Sequence, residues 1–160
     1  MSEFTHIDSN GRVRMVDVTD KPASQRMAKA YATVRMKPST LTQILDQKIK
    51  KGNVLETARI AGVMAAKRTA DIIPMCHPLN ISHVSVDFYP DVENSTMGIE
   101  TTARLVGQTG VEMEALTAAA VASLTIYDMC KSSDREMVIT EIRLVEKAGG
   151  KSGHYRYGHR

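Results

Sequence analysis

The chain has no tryptophan, two phenylalanines and five tyrosines, so aromatic residues fill only 4% of its 160 positions. Sheet-based nucleic-acid binders stack bases on exposed rings. Phe88-Tyr89 is the only adjacent aromatic pair, and no nucleic-acid partner is expected. Cysteine is scarce as well: Cys76 and Cys130 are too few for a disulfide framework and read as reduced thiols. Long apolar runs are missing. The longest uncharged stretch in the best helical segment, 115–127, has thirteen residues rich in Ala and Thr, too short to cross a bilayer. The first six residues, Met1 to His6, show no charged start followed by an apolar run, so no signal peptide and a cytoplasmic location are expected. Acid is missing from one place only. After Glu146 there is none, whereas Lys147, Lys151, Arg156 and Arg160 add +4. Residues 1–146 hold 17 Lys or Arg against 18 Asp or Glu, so the overall charge of +3 belongs to the last fourteen residues. A basic stripe across the folded body, the mark of a nucleic-acid binder, is therefore not expected.

What remains is a chain with 42% apolar and 24% charged residues, enough for one domain with a real core. It divides into a body, 1–146, and a basic, Gly-rich tail, 147–160. Alternation predicts strands over 12–18 and, more weakly, 31–36. Thr40 with Gln43 has capping-box spacing and predicts a helix carrying Leu41, Ile44, Leu45 and Ile49. Asn53 with Glu56 opens a second helix to about Thr69, whose Ala58, Ala61, Gly62, Ala65 and Ala66 leave room for close packing. Residues 71–78 read as a loop bracketed by Pro74 and Pro78. Val84, Val86 and Phe88 alternate in a strand that Pro90 is expected to end. A turn at Asn94-Ser95 then leads into Met97, Ile99, Thr101, Ala103 and Leu105 as the other half of a hairpin. The longest helix spans about 112–130, and a last strand 137–145. Without the first strand this is the β-α-β-β-α-β order of an α+β ferredoxin-like sandwich, an antiparallel sheet with helices on one face.

Several residues invite chemistry. Lys51-Gly52-Asn53 stands at a helix start, where a cation is out of place unless an anion is bound as well. With Lys48 and Lys50 beside it, the segment also reads as a solvated charge run. Met75-Cys76-His77-Pro78 sets a thiol and an imidazole in a loop clamped by prolines, and Pro78 pushes His77 towards an extended backbone. The loop suits a cleft-lining pair or a hydrogen-bonded structural histidine. A zinc site needs three or four ligands at suitable spacing; only His83, Cys130 and scattered terminal histidines could join, and no metal is expected. Thr109 and Glu112 have capping-box spacing, and Glu114 suits the same positive helix end. Asp128 sits in the last helical turn, where the dipole disfavours an acid. Lys131 follows on the same face, so the two form either a local ion pair or an acid–base pair. Glu112 and Asp128 are sixteen residues apart, roughly 24 Å along a helix. If both act in one site, that site is shared between protomers. Gly150-Lys151-Ser152 tempts a phosphate-loop reading, but Val145 stands where the first glycine is needed and no helix follows.

Taken together, these stretches resemble one family. They are Met15-Val16-Asp17-Val18, Lys51-Gly52-Asn53-Val54, Thr57 to Gly62, Ala65 to Thr69 and Ile73-Pro74-Met75-Cys76-His77-Pro78-Leu79. The unbroken block from Thr109 through Met113-Glu114 to Tyr127-Asp128-Met129-Cys130-Lys131 is the most specific, and Gly149 to Gly153 closes the set. In this order and spacing the chain resembles the molybdenum cofactor biosynthesis protein C family, the cyclic pyranopterin monophosphate synthases. The resemblance implies a lyase for the second step of molybdenum cofactor synthesis. That step rearranges 3′,8-cyclo-7,8-dihydroguanosine 5′-triphosphate into cyclic pyranopterin monophosphate and releases diphosphate. It implies a small-molecule substrate, no cofactor, and a homohexamer built as a trimer of dimers with interfacial sites. Onto matching positions it carries Asp128 as catalytic acid/base, with Lys51 and Lys131 assisting. Met75, Cys76, His77, Met113 and Glu114 would line the substrate, with Arg26, Lys67, Glu112 and Lys147 as further site residues. The tail departs from the family pattern after Gly153, where His154-Tyr155-Arg156-Tyr157 replaces the usual acid and aromatic.

Overall fold

Residues 10–158 are described here from a computed structural model; residues 1–9, including the stretch read for a leader, and 159–160 lie outside the described residues. The central strand, β1 (Ser24–Arg35), buries Ala28, Ala30, Ala32 and Val34 on one face and turns Lys29, Tyr31 and Thr33 to the other. Alanine has weak strand preference, which is why composition reveals only the Val-containing end of this twelve-residue element. Both edges of β1 are occupied, by β3 (Thr96–Gly107) and β4 (Val138–Ala148). The strand expected over 12–18 does not form. Among the described residues of this stretch only Val13 makes a bridge, and Val13 and Met15 are exposed rather than packed on the sheet.

The first helix, α1 (Pro38–Leu45), starts two residues earlier than expected, with Lys37 as its cap residue and Pro38 in its first turn. Thr40 does not cap it; its hydroxyl is buried and donates to Asp134 Oδ2 at 3.2 Å. Ile49 is buried but lies beyond the helix, past Gln47 at a φ of +54°. In α2 (Val54–Lys67) the expected cap is present, with Asn53 Oδ1 accepting from the Glu56 N–H at 3.1 Å. Thr69, the expected end of the second helix, opens a separate short turn, α3 (Thr69–Ile72), which takes in the first two residues of the expected 71–78 loop. The hairpin of β2 (His83–Asp91) and β3 has its turn at the expected Asn94-Ser95, with Ser95 at a φ of +52°. Pro90 lies within β2 rather than ending it, which an edge strand tolerates because its outer N–H groups need no partner.

The longest helix, α4 (Glu112–Cys130), has the expected span. Its expected Thr109 cap is replaced by Val111, with no side-chain cap bond, and this frees Glu112 for another partner. β4 runs three residues further than expected, to Ala148, and a two-residue β5 (Tyr155–Arg156) pairs with it. The sheet order is β2-β3-β1-β4-β5 with every pair antiparallel, so the α+β ferredoxin-like sandwich is present. Gly62 of α2 lies so close to α4 that a Cβ there would stand 3.1 Å from the Ala118 carbonyl oxygen and 3.5 Å from Ala122 Cβ. That contact, together with Lys51 against Asp128, makes the two helices antiparallel. The small residues read for close packing thus join α2 to α4 within one chain.

One irregularity in the sheet matters for the site. Between β1 and β4 the register shifts at Lys29/Ala30: Leu144 pairs with Ala30 but Glu146 pairs with Lys29, leaving Val145 as the extra residue. A bulge of this kind switches which side chains face which side. Lys147 consequently pairs with Ala28 and comes onto the helix side of the sheet.

Candidate active site

The two ends of α4 each carry a charged cluster. At the C-terminal end, Lys51 Nζ donates to the Asp128 carbonyl oxygen at 2.6 Å and to Asp128 Oδ2 at 3.3 Å. Lys131 Nζ donates to Asp128 Oδ1 at 2.6 Å. Lys51 therefore sits at the positive start of α2 but also at the negative end of α4, where a cation is favoured. Gly52 permits the turn between them with a φ of +110°, a conformation that side chains resist. The hydrogen bond from Lys131, then that from Lys51, and the charges of both hold the Asp128 carboxyl below its ordinary range. Asp128 is exposed, and so are both lysines. A carboxylate ionised at neutral pH between two ammonium groups can accept a proton from a substrate and return one.

At the other end, Glu112 Oε1 accepts from Lys147 Nζ at 2.8 Å, the partner made available by the missing cap and the sheet bulge. Arg26, on β1, donates from Nε to Gly107 O and from Nη2 to Gln108 O, each at 3.3 Å. A cleft of about 350 Å³ opens here, lined by Met75, Cys76 and His77 from one side and Glu112, Met113 and Glu114 from the other. His77 Nε2 lies 2.8 Å from the Val16 carbonyl oxygen, which fixes the ring against the 15–21 segment. Glu114 is 3% exposed; burial pushes its carboxyl up, and the nearby Glu112 charge adds to this. Burial likewise raises the Cys76 thiol, and the Glu114 carboxylate adds to the shift. Cys130 is buried in the core and pushed up to about 11, chiefly by burial and then by Asp134. Neither thiol is poised as a thiolate nucleophile. Lys67 ends α2, at the Glu112 end of the antiparallel pair, and is exposed.

One chain thus brings together Lys51, Asp128 and Lys131, and separately Arg26, Met75, Cys76, His77, Glu112, Met113, Glu114 and Lys147. The two groups stand about 24 Å apart along α4. Among the described residues, no group of three or more His, Cys, Asp or Glu is arranged to hold a metal ion. Lys21, Val16 and Val18 also line the cleft; Val16 and Val18 lie in the stretch expected as a strand, and Lys21 just past it was not among the expected site residues. Nor was Asp134, whose only signal is an acid in a short turn after a long helix. Asp134 is 1% exposed and accepts from the Lys37 N–H at 2.8 Å, the Glu136 N–H at 3.1 Å and the Thr40 hydroxyl. It ties the turn that follows Lys131 to the start of α1.

The buried Glu114 carboxyl makes a pH-dependent contribution with a definite sign. Its folded-state pKa is raised, so the folded chain binds more protons and stability falls as pH rises from the ordinary glutamate range through the raised value. Glu114→Gln removes this cost. Its urea midpoint is expected to exceed that of the parent at pH 7 and to converge with it near pH 4.

The structure is an α+β ferredoxin-like sandwich with a charged cluster at each end of its longest helix. The chain belongs to the MoaC family, whose model matches residues 15–150. The cyclic pyranopterin monophosphate synthase of Desulfatibacillum aliphaticivorans is 61% identical over 155 residues, covering 97% of this chain and 98% of that protein. The synthase of the same name from Desulforapulum autotrophicum is 60% identical, over 99% of each chain. That of Roseiflexus sp. is 59% identical, over 97% of this chain and 98% of its own. No helix among the described residues is long and apolar enough to cross a membrane.

Proposed function

We propose that the chain is a lyase of molybdenum cofactor biosynthesis. It converts 3′,8-cyclo-7,8-dihydroguanosine 5′-triphosphate to cyclic pyranopterin monophosphate and releases diphosphate. The observation that carries this reading is the Asp128 carboxylate held between Lys51 and Lys131 in a chain whose relatives bear that activity in their name. Ring opening, pterin closure and attack of a sugar hydroxyl on the α-phosphorus each move a proton, and Asp128 is placed to take and return it. The bond from the α-phosphorus to the diphosphate breaks as the cyclic ester forms. The negative charge that develops there is stabilised by fixed ammonium groups, Lys51 and Lys131 first among them. Met75, Cys76, His77, Met113 and Glu114 line the ring system, while Arg26, Glu112, Lys67 and Lys147 surround it.

The active site is formed by two protomers, the Asp128 end of one α4 meeting the Glu112 end of the partner's. We read the assembly as a trimer of such dimers, in the cytoplasm. Ile60, Met64 and Leu124, exposed on the helix layer, support association, since they leave apolar area for another subunit to cover. The body to Glu146 carries the chemistry, and the basic segment from Lys147 contributes Lys147 and folds back along β4. The direct test is diphosphate release from the purified cyclised nucleotide. One diphosphate per cyclic product is expected, and none from GTP, which lacks the ring-closing bond. A chain that leaves the cyclised nucleotide intact overturns the reading.

A further inference from the structure

The residues after Gly153, His154-Tyr155-Arg156-Tyr157, depart from the family pattern, and they form a strap along the edge of the sheet. Gly149 and Gly150, with φ of +98° and +75°, reverse the chain after β4, and the Gly153 N–H closes the turn on Gly150 O at 3.2 Å. β5 then pairs Arg156 with Glu146 and Tyr155 with Lys147. The N–H of Tyr157 donates to Val145 O at 2.8 Å. Val145 is the extra residue of the bulge and stands opposite no residue of β1. The strap therefore grips β4 at the irregularity that brings Lys147 to the helix side, where the sheet would otherwise end.

Its side chains take hold from the opposite face. Lys29 and Tyr31 turn away from the helices, and so do their β4 partners Glu146 and Arg143. The Arg143 guanidinium lies 5.7 Å from the centroid of the Tyr31 ring and 4.7 Å from that of Tyr157. Arg143 Nε is shielded from solvent and, among the described residues, has no hydrogen-bond partner, so ring faces take the place of an acceptor. His154 Nε2 lies 2.8 Å from Glu146 Oε1, and Lys29 and Arg156 add their charges around the same carboxylate. Successive strand residues point to opposite faces. A grip on Glu146 from the outer face thus fixes the direction of Lys147 on the inner one, where Lys147 Nζ donates to Glu112 Oε1 at 2.8 Å.

We propose that His154 and Tyr157 are positioning residues of the active site, acting through Lys147. By fixing the bulged end of β4 from the outer face, they hold the Lys147 ammonium against Glu112. The inference rests on the reaction proposed above, in which Lys147 and Glu112 border the substrate.

A two-residue strand opens locally when its side-chain anchors are lost, and amine acetylation of the full chain, followed by mass spectrometry, reads that opening at Lys147. Tyr157→Ala and His154→Ala are each expected to raise the Lys147 labelling rate about threefold, and together about tenfold, as the loss of exposed contacts of this kind predicts. Lys51, at the far end of α4, keeps its parent rate. Tyr157→Phe, which retains the ring over Arg143, labels as the parent does. In turnover, the Tyr157→Ala/His154→Ala chain loses kcat/KM by a similar factor. In a Lys147→Ala background the same two substitutions cost nothing further. A merely structural strap would lower kcat/KM equally with and without Lys147. That result, or Lys147 labelling in the double variant within about twofold of the parent, overturns the positioning role. Labelling needs no substrate, so the two proposals fail separately. Faster Lys147 labelling in a chain that leaves the cyclised nucleotide intact sinks the reaction alone, and conversion with unchanged Lys147 labelling sinks the strap alone.

Discussion

Asp128→Asn is expected to lower kcat for diphosphate release by about 10²–10⁴-fold, the range supplied by a positioned acid or base. The carboxamide keeps the shape but offers one acceptor oxygen where the carboxylate offers two, and it cannot take up a proton. Asp128 is exposed and packs against nothing in the core, so the thermal midpoint and oligomeric state are expected to stay near those of the parent. The pH profile adds a second readout. The two lysines hold the Asp128 carboxyl below its ordinary range, so the ionised form persists at lower pH than for an isolated aspartate. In Lys131→Ala the acid limb of kcat/KM is expected to move to higher pH, because the largest influence on that carboxyl is gone. Turnover by Asp128→Asn within a few-fold of the parent would remove the carboxylate from proton transfer.

Asp134→Ala is expected to act through the fold. Burial pushes this carboxyl up. The Lys37 and Glu136 N–H groups, the Thr40 hydroxyl and the Lys37 charge outweigh that and leave it below its ordinary value. Deleting it strands two backbone donors and a buried hydroxyl, at a cost of about 3 kcal/mol for the set. The urea midpoint reports this loss. Because the folded pKa is lowered, the stabilisation is present above the ordinary aspartate range and is lost as pH falls through the folded value. Asp134→Asn is accordingly expected to show a shallower loss of stability on acidification below about pH 5 than the parent. An unchanged midpoint for Asp134→Ala would mean that the turn after Lys131 is held by something else.

How far the sequence discloses this molecule differs from element to element. α4 and the β2–β3 hairpin are legible because their signals are local: a helical period in one case, alternation around a turn in the other. The Asn53 cap is equally local, and it forms. β1 is half hidden because its buried face is alanine, and only the strands on either side make that face a core. The 12–18 alternation fails for the converse reason: among the described residues it pairs with no strand of the sheet. The Thr109–Glu112 cap does not form, and Glu112 pairs instead with Lys147, which reaches it only through a bulge that no local pattern announces. Asp128 and Lys131, three residues apart on one helix, were readable as a pair; Lys51, 77 residues away, was not readable as their third member from spacing alone. Lys21 lies just past the 12–18 stretch and carries no local pattern that marks it as part of the cleft.

The central claim is that neither end of α4 makes an active site alone and that two protomers supply one each. Mixing two inactive chains tests it most directly: Asp128→Ala, damaged at one end, with His77→Ala, damaged at the other. Each is expected to be inactive by itself. When they are unfolded and refolded together, half of the dimers contain one of each. In a mixed dimer one of the two shared sites collects both lesions and the other collects none, so activity is expected to recover to about a quarter of the parent value. If mixed oligomers form, as native mass spectrometry would show, and activity stays at the level of the separate variants, the site is not shared and the account is wrong.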